Sequence, residues 1–127
     1  MNSNLRITIA VAAAALVAAG CSSYSTAKPS KSIEQVMEEG FEGKASLNAK
    51  VMKGQGTDAD HKLLAELVLQ LTLNKPPVGD LASWTEKTSA LNTAAIALAA
   101  GKPGALDAYK AAVNCKACHS AHKPEKK

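Results

Sequence analysis

Residues 57–77, TDADHKLLAELVLQLTLNKPP, spell out one amphipathic helix together with both of its ends. Thr57 offers a side-chain oxygen to an orphan backbone N–H, and Asp58 and Asp60 put negative charge in the first turn, where the helix dipole favours it. Leu63, Leu64, Leu67, Val68 and Leu71 recur at helical spacing. Asn74-Lys75-Pro76-Pro77 closes the segment, because proline cannot continue a helix and restricts the residue before it.

The same punctuation extends in both directions. Upstream, Ser32-Ile33-Glu34-Gln35 fits a capping box, and Ile33, Val36, Met37, Phe41, Leu47, Val51 and Met52 share a broad apolar face. A helix is expected over residues 32–53, kinked near Gly43 and stopped by Gly54-Gln55-Gly56. Downstream, Ser83-Trp84-Thr85-Glu86 reads as a second capping box, opening a helix through Leu91, Ala94, Ala95 and Leu98 to Gly101. A last helix is expected from Pro103 through Tyr109 and Cys115 to about His122, before Pro124. Four helices with short connections point to an all-α, antiparallel four-helix bundle over residues 32–123, with 124–127 as a tail.

Composition agrees. The chain has 127 residues, 46% of them apolar but only 3% aromatic. That is enough for one domain with one modest core. The aromatic and β-branched content is too low for an all-β sandwich. The net charge is +4, and lysines alternate with acids without a basic stripe, so nucleic-acid binding has no support. No paired-carboxylate site, Ser/His/Asp arrangement or phosphate-cradling glycine loop is visible, so enzymatic catalysis is not indicated. Glu34, Glu38, Glu39 and Glu42 read as a solvated helix face.

The first twenty residues read as an address. Met1–Arg6 carries one cation, Ile7–Val17 is an alanine-rich apolar run, and small residues precede Cys21. The run is shorter than the roughly 20 residues of a membrane-spanning helix, which makes it a signal-peptide segment. Val17-Ala18-Ala19-Gly20-Cys21 also resembles the lipobox of bacterial lipoproteins, with Ala18 where leucine is more usual. That resemblance implies lipidation of Cys21, a membrane attachment on the periplasmic side of the envelope and, with Ser22 following, the outer membrane. The alternative is ordinary cleavage with Cys21 as a free thiol. Residues 21–31 are rich in Ser, Thr, Lys and Pro and read as a flexible tether.

Cys115-Lys116-Ala117-Cys118-His119 is C-x-x-C-H, the attachment pattern of a c-type haem. On a helix, positions i, i+3 and i+4 share one face. Two thiols can then form thioethers to two vinyl groups of one porphyrin edge, leaving the imidazole of His119 beneath the iron. Ala105, Ala108, Ala111 and Ala112 fall on the same face of one continuous helix, as if cleared for a flat macrocycle. Three other readings compete. A zinc site of Cys115, Cys118, His119 and His122 would need four ligands from eight consecutive helical residues to converge tetrahedrally. A thioredoxin-like pair is expected at a helix N-terminus in a βαβ setting, whereas this pair falls late in its expected helix. A plain Cys115–Cys118 disulfide is the third.

A C-terminal C-K-A-C-H on the fourth helix of a small bundle resembles cytochrome c′ and its relatives. Val51-Met52-Lys53-Gly54 closing the first helix and Trp84 opening the third belong to the same resemblance, which covers Ser32–Lys123. It implies one covalent haem c inside the bundle near one end, with His119 as fifth ligand and Lys123 as the basic residue near the haem edge. It also implies pairing into a homodimer. Met37, on the apolar face with Phe41, is the candidate distal residue. As a ligand it gives a six-coordinate electron carrier serving redox proteins of the envelope. Without ligation, an apolar cap leaves a five-coordinate iron open to nitric oxide or carbon monoxide. His122, one turn beyond His119, reads as a contact at the haem edge or an exposed histidine. Trp84 reads equally as a porphyrin contact or a core anchor, and His61 as a surface histidine.

Overall fold

In a computed structural model the structure describes residues 27–126, all helix and connecting segments with no strand among them. The expected leader of residues 1–20, Cys21 and the start of the tether lie outside the described residues. The elements are α1 (Ile33–Val36), running directly into a π-helical turn (Met37–Phe41), then α2 (Leu47–Met52), α3 (Asp58–Leu73), α4 (Leu81–Ala99), α5 (Ala105–Ala112) and α6 (Cys115–His122). Among the described residues no helix is long and apolar enough to cross a membrane. The arrangement is compatible with a helical bundle.

The longest helices begin where local chemistry starts them. Thr57 caps α3 in a reciprocal box with Asp60: the Thr57 Oγ1 accepts from Asp60 N at 3.2 Å, and Asp60 Oδ2 accepts from Thr57 N at 2.8 Å. Lys50 also donates to Asp60 Oδ2 at 2.6 Å, tying α2 to the start of α3. These contacts, the Lys50 hydrogen bond foremost, hold the Asp60 carboxyl down at about 2. The start of α4 differs from expectation. The helix opens at Leu81 with Asp80 as its cap, Asp80 Oδ2 accepting from Ser83 N at 2.8 Å. Asp80 is the better-placed acceptor after Pro76-Pro77, so Ser83 lies inside the helix and its hydroxyl is free for other work.

Two expected helices are broken. Ser32 and Gln35 form the expected capping box, but the first helix widens at Met37–Phe41, where Glu42 N donates to Met37 O at 2.8 Å. Gly40 in this turn presses on α3; a Cβ there would sit 3.0 Å from Leu67 Cδ1. The chain then straightens at Glu42, and Gly43 adopts φ +87°, a left-handed conformation that interrupts any helix. Ser46 restarts it by accepting from Ala49 N at 3.1 Å. The last expected helix breaks at Val113, which is extended, and restarts behind Asn114, whose Oδ1 accepts from Ala117 N at 3.0 Å. Asparagine is a strong N-cap, so the sequence Val-Asn-Cys contains a helix start that the apolar period conceals.

The core has two contiguous parts. One gathers Val51, Leu64, Val68, Ala95, Leu98 and Tyr109, with the Tyr109 hydroxyl donating to Asn48 Oδ1 at 2.8 Å. Burial pushes that phenol above its ordinary pKa. The other gathers Val36, Leu67, Leu71 and Trp84. Trp84 Nε1 donates to Asn74 O at 2.9 Å, placing the start of α4 beside the end of α3, so the two helices run antiparallel. Leu63, expected in the buried stripe of α3, is 48% exposed. At the same end Ser30 N donates to Gln70 Oε1 and Asn74 Nδ2 to Lys31 O, binding the incoming chain to α3.

Candidate functional site

Beside the second core part lies an open cleft of about 840 Å³, a volume ordinary for a small-molecule or cofactor site. One wall comes from α1 and the π-helical turn, through Ile33, Met37 and Phe41. The α6 helix contributes Cys118, His119 and His122, and Trp84 is also part of the lining, as are Glu34, Glu38 and Glu42 of the first segment. Met37 and Cys118 are half-buried and pack against the same core residues, Val36, Leu67, Leu71 and Trp84. Lys123 lines the cleft as an exposed residue at the end of α6. The fold thus brings Met37, Phe41, Cys118, His119 and Lys123 into one cleft from segments nearly eighty residues apart in sequence.

Cys115 is exposed at the start of α6 and is not among the cleft residues, although Cys118 follows one turn later on the same helix face. Both thiols are free. Burial raises the Cys118 thiol above its usual pKa, against the opposing field of Lys87. The pair opens its own helix rather than lying late in one, so helix position no longer argues against a redox pair; what the pair lacks is a βαβ setting, since there is no strand among the described residues.

The alanine face also changes. Because the chain breaks at Val113-Asn114, α5 and α6 do not share a continuous wheel, and no residue of α5 lines the cleft. Ala105 and Tyr109 point into the core instead, while Ala108 and Ala111 are exposed. Space for a ligand comes from the gap between α6 and the first helical segment.

Of the two sequence readings of His122, exposure does not hold, while the residue does line the cleft. It is 2% exposed, its Nδ1 lies 3.1 Å from Val78 O, and its Nε2 lies 3.2 Å from Ser83 Oγ. Its ring meets Trp84 edge-on, centroids 5.4 Å apart. With both nitrogens engaged, it is no longer a free fourth ligand for zinc. The only hint in the sequence is that His122 recurs three residues after His119; its partners lie 44 and 39 residues away. Trp84 is at once a core anchor and a cleft residue. His61 is half-buried beside a separate, smaller hollow of about 350 Å³ that contains none of the expected site residues.

The cleft brings a thiol (Cys118), an imidazole (His119) and a thioether (Met37) together among apolar residues, a donor set that fits a metal macrocycle, and its lining also carries Glu34, Glu38, Glu42 and Glu125. Compared with protein families, curated proteins and solved structures, the chain matches none of them.

Proposed function

We propose that the protein is a monohaem c-type cytochrome that carries single electrons in the bacterial cell envelope, built as an antiparallel four-helix bundle in which the first and last helices are interrupted. The observation that supports this reading is that Cys118 and His119 of the C-x-x-C-H motif line one cleft together with Met37. Bound haem supplies a one-electron iron couple. Cys115 and Cys118 would hold it by thioethers, and His119 and Met37 are the residues that would ligate its iron. The apolar side chains of Phe41 and Trp84 would shield part of the bound group from water, which favours small charge rearrangement on electron transfer. Lys123 gives a cation for an anionic cofactor edge.

A second reading rests on the composition of the wall facing His119. Of the cleft residues from the first helical segment, Ile33, Met37 and Phe41 are apolar and none carries an imidazole, while Ser32, Glu34, Glu38 and Glu42 add polar groups. If Met37 fills space without ligating, the iron is five-coordinate and takes nitric oxide or carbon monoxide. In both readings residues 1–20 direct export, and Cys21 carries the lipid anchor.

The test is expression with haem-c maturation factors, haem staining after denaturation, and optical and EPR spectra in both oxidation states. Low-spin ferric iron whose methionine-to-iron band disappears in Met37→Ala establishes the electron carrier. High-spin iron that binds nitric oxide establishes the second reading. A matured chain without covalent haem refutes both.

A further inference from the structure

Helix α6 has eight residues, too few to persist in water unaided. Its first turn is fastened by the Asn114 cap, so its last turn, which includes His119, depends on what lies beyond. There the chain is gripped at His122. The Val78 carbonyl can only accept, so His122 Nδ1 carries a proton and donates to it. In the neutral ring Nε2 then accepts from the Ser83 hydroxyl, whose oxygen in turn accepts from Lys87 Nζ at 2.8 Å. A second contact is independent of these bonds. Gly79 approaches the end of α6 so closely that a Cβ there would lie 2.3 Å from Ala121 O. The connection between α3 and α4 and the end of α6 are therefore mated by both hydrogen bonding and shape.

We infer that His122 is a positioning residue: it locks the last turn of α6 to the Val78–Ser83 segment and thereby fixes the wall that presents His119 and Cys118 to the cleft before any cofactor arrives. Its purpose rests on the proposed haem attachment; its geometry does not. The imidazole is suited to the place because it joins a rigid ring packed in a T-shape with Trp84 to two polar atoms that reach Val78 and Ser83. Phenylalanine supplies the ring alone. Glutamine supplies one donor and one acceptor alone.

The full chain, expressed with and without the attachment machinery, separates the possibilities. In the haem-free chain, His122→Phe is expected to speed amide exchange over residues 117–122 roughly ten- to hundredfold, the range for losing two ordinary hydrogen bonds. Residues 64–71 of α3 are expected to keep their protection. His122→Gln is expected to restore most of the lost protection. In the haem-loaded chain, His122→Phe is expected to shift the midpoint potential and the iron ligand-field bands, and His122→Gln to return them toward wild type. Exchange that is unchanged, or that rises equally in residues 64–71, overturns the clamp. A loaded His122→Phe chain with wild-type potential and spectrum overturns the positioning role. A wild-type chain that takes up no haem refutes the proposed function instead, and the exchange comparison still decides the clamp.

Discussion

Gly79→Ala tests the mating of α6 to the bundle through a residue with no polar side chain. Gly79 has φ +86°, a conformation that costs an L-residue about 1–2 kcal/mol. The added Cβ would also lie 2.3 Å from Ala121 O and 2.8 Å from His122 Nδ1, so the end of α6 must move. Moving it sacrifices the His122 to Val78 hydrogen bond, about 0.5–1.5 kcal/mol, and disturbs the Trp84 contact. The expected total is about 2–4 kcal/mol. Gly43→Ala is the matched control, since Gly43 has φ +87° and nothing lies within 4 Å of its added Cβ. It is expected to lose only the conformational part. Urea denaturation of the haem-free chain, followed by far-UV circular dichroism, gives both values. Trp84, the sole tryptophan, gives a local readout by fluorescence at the contact itself. Equal losses for the two substitutions, with unchanged Trp84 emission in Gly79→Ala, would refute the close approach of α6.

Two further substitutions probe the segments that meet there and at α2. Asn114→Ala removes the cap that restarts the chain at Cys115 and is expected to destabilise by about 0.5–2 kcal/mol, with exchange rising first at residues 115–118. Equal exchange in both proteins would show that α6 does not need its own start. Asp60 is held at about 2, below its unfolded value of 3.8, so its stabilising contribution is full above pH 3.8 and is lost as pH falls through 2. Asp60→Asn is expected to flatten the stability profile across that window, as measured by denaturation at successive pH values, and a carbon-13 titration of the wild-type carboxyl that gives an ordinary midpoint would contradict the Lys50 contact.

What was legible in the sequence is what local rules control. The helix starts at Ser32 and Thr57 depend on side chains reaching backbone groups three residues on, and both stand where the residues placed them. The stop at Asn74–Pro77 follows from proline alone, and the C-x-x-C-H pattern needs no partner elsewhere to be read. Even local signals compete, however. Asp80 took the cap that Ser83 also offered, and Asn114 started a helix inside an unbroken apolar period. A periodic pattern records which face is apolar, not whether the axis continues.

The cleft and the His122 clamp belong to the tertiary structure. Burial is set by what packs above a residue, and the carbonyl of Val78 that receives His122 is 44 positions away with no side-chain signature. Likewise, Met37 faces the motif because Gly40 lets a widened turn press against Leu67, a contact between two segments that neither one encodes by itself. Composition and caps determined that the chain is helical, and the cysteine spacing marked the candidate site. Only the packing of α6 against the start of α4 decided which histidine is buried and which is exposed, because hydrogen-bond partners and excluded volume across that contact are non-local.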